Sequence, residues 1–162
     1  MVQEQLERLD LFAGLPAGIL RDLAAKCSLV ERPAGDVLDD GSGAEVACVY
    51  LVVEGMAEVL IGDDKTKLVP VGRVEAGGLI GEFSAIAGAH GGCTVRTTVP
   101  TRLVVIPRQL FRSLVEQHPP VAVYLLQDMI SVIRGMNDRL ASLKDAHSEF
   151  DRIRSQLFRF IA

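Results

Sequence analysis

Gly77-Gly78-Leu79-Ile80-Gly81-Glu82-Phe83-Ser84-Ala85-Ile86, continued by Ala87 to Gly92 and then Cys93-Thr94-Val95-Arg96-Thr97, is the stretch whose reading decides the fold. Strand-like sequence ends at a glycine pair, and a Gly-Glu dipeptide opens a short apolar turn. A small-residue loop follows, and a new strand begins at Thr94. A glycine-rich turn feeding the start of a short helix aims unpaired backbone N–H groups at one point, which suits a phosphate-sized anion. Glu82 beside it can accept hydrogen bonds from ribose-type hydroxyls and would repel a phosphate. Taken alone, Gly-Gly-x-x-Gly reads as a tight turn between strands, so the surrounding chain has to decide.

Short β-forming runs precede and follow it. Leu29–Arg32 and Val37-Leu38 flank the turn Pro33-Ala34-Gly35-Asp36, and Asp39 to Glu45 is a polar, glycine-bearing loop. Val46 to Val53 is the most strongly β-forming run, and Glu54-Gly55 is expected to close a hairpin into Ala57–Ile61. Gly62-Asp63-Asp64-Lys65 predicts a second hairpin into Leu68–Val74. Thr94–Val99, a Pro100-Thr101 turn and Arg102–Ile106 are expected to make a final strand pair. Seven or eight short strands between glycine and proline turns predict an antiparallel sandwich or jelly roll.

Helical periods bracket this region. Residues 3–12 place Leu6, Leu9, Leu11 and Phe12 near one face, and Ile19, Leu20, Leu23, Ala24 and Cys27 mark a second helix. After Pro107, Leu110, Phe111, Leu114 and Val115 form a face that meets the barrel, and Pro119-Pro120 separates that helix from the next. Beyond it, Leu125, Met129, Val132, Met136, Leu140 and Leu143 repeat at spacings of three and four, beside a second stripe of Leu126, Ile130 and Ile133. Two stripes predict one face for the barrel and one for a partner, the same helix of a second subunit. A helix packed wholly within its own chain is the alternative. Ser148-Glu149-Phe150-Asp151 resembles a capping box and predicts a last helix with Phe150, Ile153, Leu157 and Phe160 on its apolar face.

Composition narrows the function classes. The 162 residues are 49% hydrophobic and 23% charged, enough for one ordinary domain with a proper core. A net charge of −4 supplies no basic field for nucleic acid or anionic lipid. No apolar run reaches membrane-spanning length, and the charged, helical Met1–Asp10 is no signal peptide, so a cytoplasmic protein is expected. Cys27, Cys48 and Cys93 are odd in number and widely spaced, which excludes a disulfide framework and a cysteine metal site. No nucleophile–base–acid set or paired carboxylates appear, so no catalytic residues, no metal and no enzyme are expected.

Several sequence words, in order, resemble one family. Leu11-Phe12-x-Gly14-Leu15-Pro16, Pro33-Ala34-Gly35-Asp36-Val37-Leu38, Tyr50-Leu51-Val52-Val53-Glu54-Gly55, Gly81-Glu82-Phe83-Ser84 and Ile106-Pro107-Arg108 are similar to the cyclic nucleotide-binding domain. That domain is shared by Crp/Fnr regulators, regulatory subunits of cAMP-dependent kinases and cyclic-nucleotide-gated channels. The resemblance implies a mainly β chain with flanking α: an eight-stranded antiparallel jelly roll with N-terminal helices and a long C-terminal helix. It implies a binding domain over 1–144 and a helical extension over 145–162. Residues 81–94 would be a phosphate-binding cassette for cAMP or cGMP, with contacts from Gly81, Phe83, Ser84, Cys93 and Thr94 and with Glu82 on the ribose 2′-hydroxyl. Helix 120–144 would lid the pocket and form a homodimer.

The family's phosphate-pairing arginine falls nine to eleven positions after the glutamate, where this chain has Gly91, Gly92 and Cys93, preceded by His90. Arg96 is the nearest arginine. A charge-assisted hydrogen bond contributes about 1.5–3 kcal/mol, so its loss beside Glu82 weakens cyclic nucleotide binding by on the order of 10–1,000-fold. The expected function is a stand-alone regulatory or sensor module with weak or absent cyclic nucleotide binding, coupling a small ligand to movement of the C-terminal helix. The alternatives are a non-binding dimerisation or protein-interaction module and a truncated Crp/Fnr-type transcription regulator. Only 19 residues follow Leu143, they are charge-balanced, and no recognition helix fits, so direct nucleic acid binding is not expected.

Overall fold

The computed structural model describes residues 2–40, 48–62, 67–88 and 92–161, with side chains as far as residue 144. Helix α1 (Val2–Glu7), a 3-10 turn at Asp10–Phe12 and α2 (Ala17–Lys26) come first. Strands β1 (Ser28–Arg32), β2 (Val37–Asp40), β3 (Cys48–Glu54), β4 (Met56–Ile61), β5 (Val69–Glu75) and β6 (Leu79–Ile80) follow. The short α3 (Glu82–Ala87) interrupts them before β7 (Thr94–Thr97) and β8 (Thr101–Pro107). Helices α4 (Arg108–Gln117) and α5 (Pro119–Ile161) end the chain. The eight strands form two antiparallel four-stranded sheets, ordered β1-β8-β3-β6 and β2-β7-β4-β5, the jelly roll that the strand count predicts.

Strand alternation builds the core. Val52, Ala57, Ile80, Val95 and Leu103 form one buried cluster between the sheets, with Val30, Leu38, Tyr50, Val59 and Val74 packed against it. The alternate β3 positions Val49 and Leu51 are buried on the other side of their sheet, where α4 packs with Phe111; Leu6, Phe12 and Leu23 of the N-terminal helices are buried as well. Along α4, Phe111 and Leu114 are buried while Leu110 and Val115 are partly so, the face expected after Pro107.

Two expected hairpins are corners instead. β3 and β4 lie in different sheets, so Glu54-Gly55 carries the chain from one sheet to the other; Pro100-Thr101 does the same between β7 and β8. Gly55 has φ +97°, and a Cβ there would sit 2.6 Å from Thr101 Oγ1 and 2.8 Å from the Pro100 carbonyl, so the two corners meet back to back. Buried threonine hydroxyls hold them. Thr97 Oγ1 donates to the Pro33 carbonyl at 2.6 Å and accepts from the Asp36 N–H at 2.9 Å. Thr101 Oγ1 donates to the Val99 carbonyl at 2.8 Å. A turn signal tells that the chain reverses; which strand receives it is decided by where each strand finds its ladder. β4 and β5 do pair as a hairpin, Met56 opposite Glu75 through Ile61 opposite Val69, with their connection partly outside the described residues.

The chain divides into two units, Met1–Ala122 and Val123–Ala162. α5 runs unbroken past Ser148, so the separate last helix expected from its capping-box pattern does not exist. Nothing between Lys144 and Asp151 stops a helix: there is no Gly or Pro, and a Ser-x-x-Asp pattern is equally at home inside one. From Leu126 to Leu143 the apolar residues are exposed. Leu126, Met129, Ile133, Met136, Leu140 and Leu143, at spacings 3, 4, 3, 4 and 3, are 38–67% exposed, and Ile130 and Val132 flank them. No helix among the described residues is long and apolar enough to cross a membrane.

Candidate ligand-binding cassette

The cassette starts where β5 returns into β6. Gly77 donates to the Val52 carbonyl at 2.8 Å and Val52 donates back to the Gly78 carbonyl at 3.0 Å, holding the glycine pair against β3. A Cβ on Gly78 would lie 2.5 Å from Val74 Cγ1, which explains the second glycine. β6 then pairs with β3, Leu79 opposite Leu51 and Ile80 opposite Tyr50. Gly81 turns the chain with φ +87° into α3, whose first hydrogen bond is Ala85 N–H to the Gly81 carbonyl at 3.0 Å. Gly88, φ +68°, closes the helix by donating to the Ser84 carbonyl at 3.1 Å.

Helical spacing sorts the side chains of α3. Glu82 and Ala85, three apart, are buried; Phe83 and Ile86, also three apart, are exposed. Ser84 is half-buried. The carboxylate singled out for ribose contact therefore faces the protein, and Phe83 does not share its side. Glu82 is 9% exposed, an unusual placement for a carboxylate in a small domain.

The far side of the cassette is β7. Cys93 is half-buried, and its thiol pKa is raised, first by burial and then by the charge of Asp39; Glu82 adds to this while a backbone hydrogen bond opposes it. The charges of Asp39 and Glu82 thus both act on the Cys93 thiol. Thr94 lies on the strand face opposite to the buried Val95 and Thr97, and its hydroxyl donates to the Asp40 carbonyl at 3.3 Å. Arg96 shares that outer face, and its guanidinium binds Glu58 at 2.6 Å through Nη2 and 3.1 Å through Nε. It is committed to the cross-strand partner that sheet register places opposite it, so it does not replace the missing arginine. His90 and Gly91 lie outside the described residues.

Gly81, Glu82 and Ser84 sit together at the start of α3, and the charge of Glu82 acts on the Cys93 thiol; Phe83 lies on the exposed side of α3, and Thr94 on the face of β7 opposite Val95. The structure adds Asp39 and Tyr50, which sequence reasoning misses. Tyr50 sits beside Ile80 on the inner wall; its phenol pKa is pushed up to about 12, chiefly by burial, then by a hydrogen bond with Cys48. The available signal was a lone hydroxyl-bearing ring in an otherwise aliphatic strand. Arg32 is paired with Asp36 at 3.6 Å, and the Arg108 guanidinium approaches Gly88, at the other end of α3 from Glu82. Among the described residues no group of His, Cys, Asp and Glu is placed to hold a metal ion.

Comparison with known proteins agrees with this architecture. A family model described as the cyclic nucleotide-binding domain matches residues 33–118, more than half of the chain. Lysophospholipase nte1 of Aspergillus fumigatus is 27% identical over 110 residues, 68% of this chain and 7% of that protein. The NTE1 lysophospholipase of Pyricularia oryzae is 31% identical over 106 residues, 65% of this chain and again 7% of the relative. The chain spans less than a tenth of these relatives' length. Among solved structures, the sensor domain of the transcriptional regulator DNR from Pseudomonas aeruginosa matches with TM-score 0.67 at 17% identity, covering 84% of this chain and 91% of that one. Thermus thermophilus catabolite activator protein matches with TM-score 0.67 at 20% identity, over 83% and 62%. The regulatory subunit of a cAMP-independent protein kinase A from Trypanosoma brucei matches with TM-score 0.67 at 21% identity, over 77% and 44%.

Proposed function

The chain belongs to the cyclic nucleotide-binding domain family, and on that footing we propose that it is a cytoplasmic regulatory module in which a small ligand held by the cassette shifts α5. The observation that carries the reading is Glu82, a carboxylate buried behind a left-handed glycine turn, on the inner side of a six-residue helix whose opposite side is exposed. That turn places the carboxylate where the hydroxyls of a bound ligand can donate to it. A ligand moves α5 only if it binds one arrangement of that helix better than another. The module is regulatory rather than enzymatic.

The partner in this reading is a second copy of the chain. Leu126, Met129, Ile133, Met136, Leu140 and Leu143 alternate spacings of three and four, the pattern that makes two helices supercoil around each other. Calorimetric titration with cAMP, cGMP and the corresponding nucleosides, combined with hydrogen exchange of residues 119–144, tests the sensor. Heat from at least one ligand, together with slowed exchange in α5, is expected. No heat from any of them at high micromolar ligand overturns the sensor reading.

A second reading, a dimerisation or protein-interaction module that binds no ligand, is favoured by the absent arginine and the exposed seam. Under both readings light scattering gives a dimer, and the double substitution Ile133→Glu, Met136→Glu gives a monomer with an intact barrel. A wild-type monomer at all concentrations removes the seam from both.

A further inference from the structure

We propose that the half of the apolar stripe beyond Gly135 folds into helix only as it pairs with a second copy of the chain, so that assembly builds the seam instead of finding it ready-made. This rests on the reading of the 126–143 stripe as a homodimer seam. Burial, local sequence and one hydrogen bond converge on it.

Burial comes first. A helix in a folded protein is held mainly by the apolar face that it packs. Val121 and Leu125 are buried and fix the first turns of α5, whereas every residue from Leu126 to Lys144 is exposed. α4 makes the contrast: only ten residues long, it buries Phe111 and Leu114. Within one chain, the stretch after Leu125 is left to its intrinsic helix preference, and side-chain pairs along an exposed helix surface add little to that.

That preference fails in the middle. Gly135-Met136-Asn137-Asp138 holds three poor helix formers in four positions. A glycine lowers the weight of the helix about five-fold relative to alanine, and Asn and Asp by up to about three-fold each, so together they count against it by on the order of 40-fold. Ser142 adds to this, since its hydroxyl donates to the Asp138 carbonyl at 3.0 Å, a back-bond that loosens and bends helices. Gly55 and Gly78 have neighbours that a Cβ would strike; a Cβ on Gly135 would meet nothing within 4 Å. Nor does a paired helix approach there, because Gly135 lies about 120–140° round the helix from Met129 and Leu140. The glycine serves no packing among the described residues, and it puts a weak point halfway along the stripe.

Pairing supplies what the single chain lacks. In the pair, Met136, Leu140 and Leu143 gain a packed face, and ordering this half and closing the seam become one event. Anything that firms the turns before Gly135 then strengthens the dimer, because less chain is left for pairing to order.

The experiment is hydrogen exchange and analytical ultracentrifugation of the full chain. It compares wild type, Gly135→Ala, the double variant Ile133→Glu, Met136→Glu as the monomer, and Gly18→Ala as a control from α2, where a Cβ also meets nothing within 4 Å. Amides of residues 136–144 should be protected in the wild-type dimer. In the double variant they should exchange within about 10-fold of the unfolded-chain rate while those of the barrel stay slow. Gly135→Ala should lower the dimer Kd by about 10- to 30-fold, the five-fold gain entering once per chain, and Gly18→Ala should leave it within about two-fold. If this half is already helical in the monomer, the alanine favours monomer and dimer alike and Kd does not move. That result, or equal protection of 136–144 in the double variant, overturns the inference and leaves the homodimer standing. A wild type that is monomeric at all concentrations removes the homodimer reading and the inference together.

Discussion

The barrel and the helix beyond Val123 use the same kind of apolar residue to opposite effect. Between Ser28 and Gln117 the large side chains at inward positions vanish from solvent: Val49, Leu103, Val104, Ile106 and Phe111 are fully buried. Between Leu126 and Leu143 residues of equal hydrophobicity stay exposed along one stripe. The barrel closes on itself because the inner faces of two sheets pack together and α4 covers the outer face of one sheet. A single helix has no second layer, so its stripe is completed only by something outside itself. The first region holds the buried core and the second an exposed apolar stripe.

The largest effect that sharpens this contrast is Phe111→Ala, which leaves a cavity where a fully buried ring stood and should cost about 3–5 kcal/mol in urea unfolding. Ile133→Ala removes an aliphatic side chain that is half exposed, and should change barrel unfolding by less than about 0.5 kcal/mol; under the proposed pairing of α5 it shifts dissociation to higher concentration. Comparable losses from both would mean that the two regions unfold as one unit. Next is Thr97→Val, which keeps the volume and removes the hydroxyl that ties β7 to the Pro33–Asp36 turn. It leaves a buried carbonyl and N–H without that partner, at a cost of about 1–3 kcal/mol, read from the same unfolding curves.

The smallest is a pH effect at Tyr50. Its phenol pKa is held at about 12 in the folded chain, against an ordinary value of 10.0. The unfolded state therefore loses this proton first, and the stability it contributes is complete below the ordinary value and lost as pH rises to about 12. Tyr50→Phe should flatten the stability profile in that window without changing it at neutral pH. An unchanged alkaline slope would assign the effect to other groups, Cys27 among them, whose thiol is pushed up to about 11 by burial.

Much of the barrel was legible because alternation and turn chemistry are local. The β4–β5 hairpin, the Pro33–Asp36 turn and the Pro119 helix start lie where those signals place them. The reversals at Glu54-Gly55 and Pro100-Thr101 read as hairpins because both dipeptides carry ordinary turn residues, and the partner of each strand is a long-range matter. In the cassette, Gly81 and Glu82 were visible as a motif, and the three-residue spacing of α3 then separated Glu82 from Phe83. Asp39 was invisible as a site residue, since it lies far along the chain from Cys93 and reaches it only through the pairing of β2 with β7.

Residues close together in the chain carry the family words, the two-period pattern of strands and helices, the lack of an arginine at 91–93 and the apolar repeat on the last helix, and so these belong to the sequence by itself. What depends on distant residues meeting came from the three-dimensional arrangement alone. It turned two hairpins into corners, gave Arg96 to Glu58, brought the charges of Asp39 and Glu82 to bear on Cys93, and left the 126–143 stripe exposed. Charge and burial are sums over neighbours in space, and only folding supplies those neighbours.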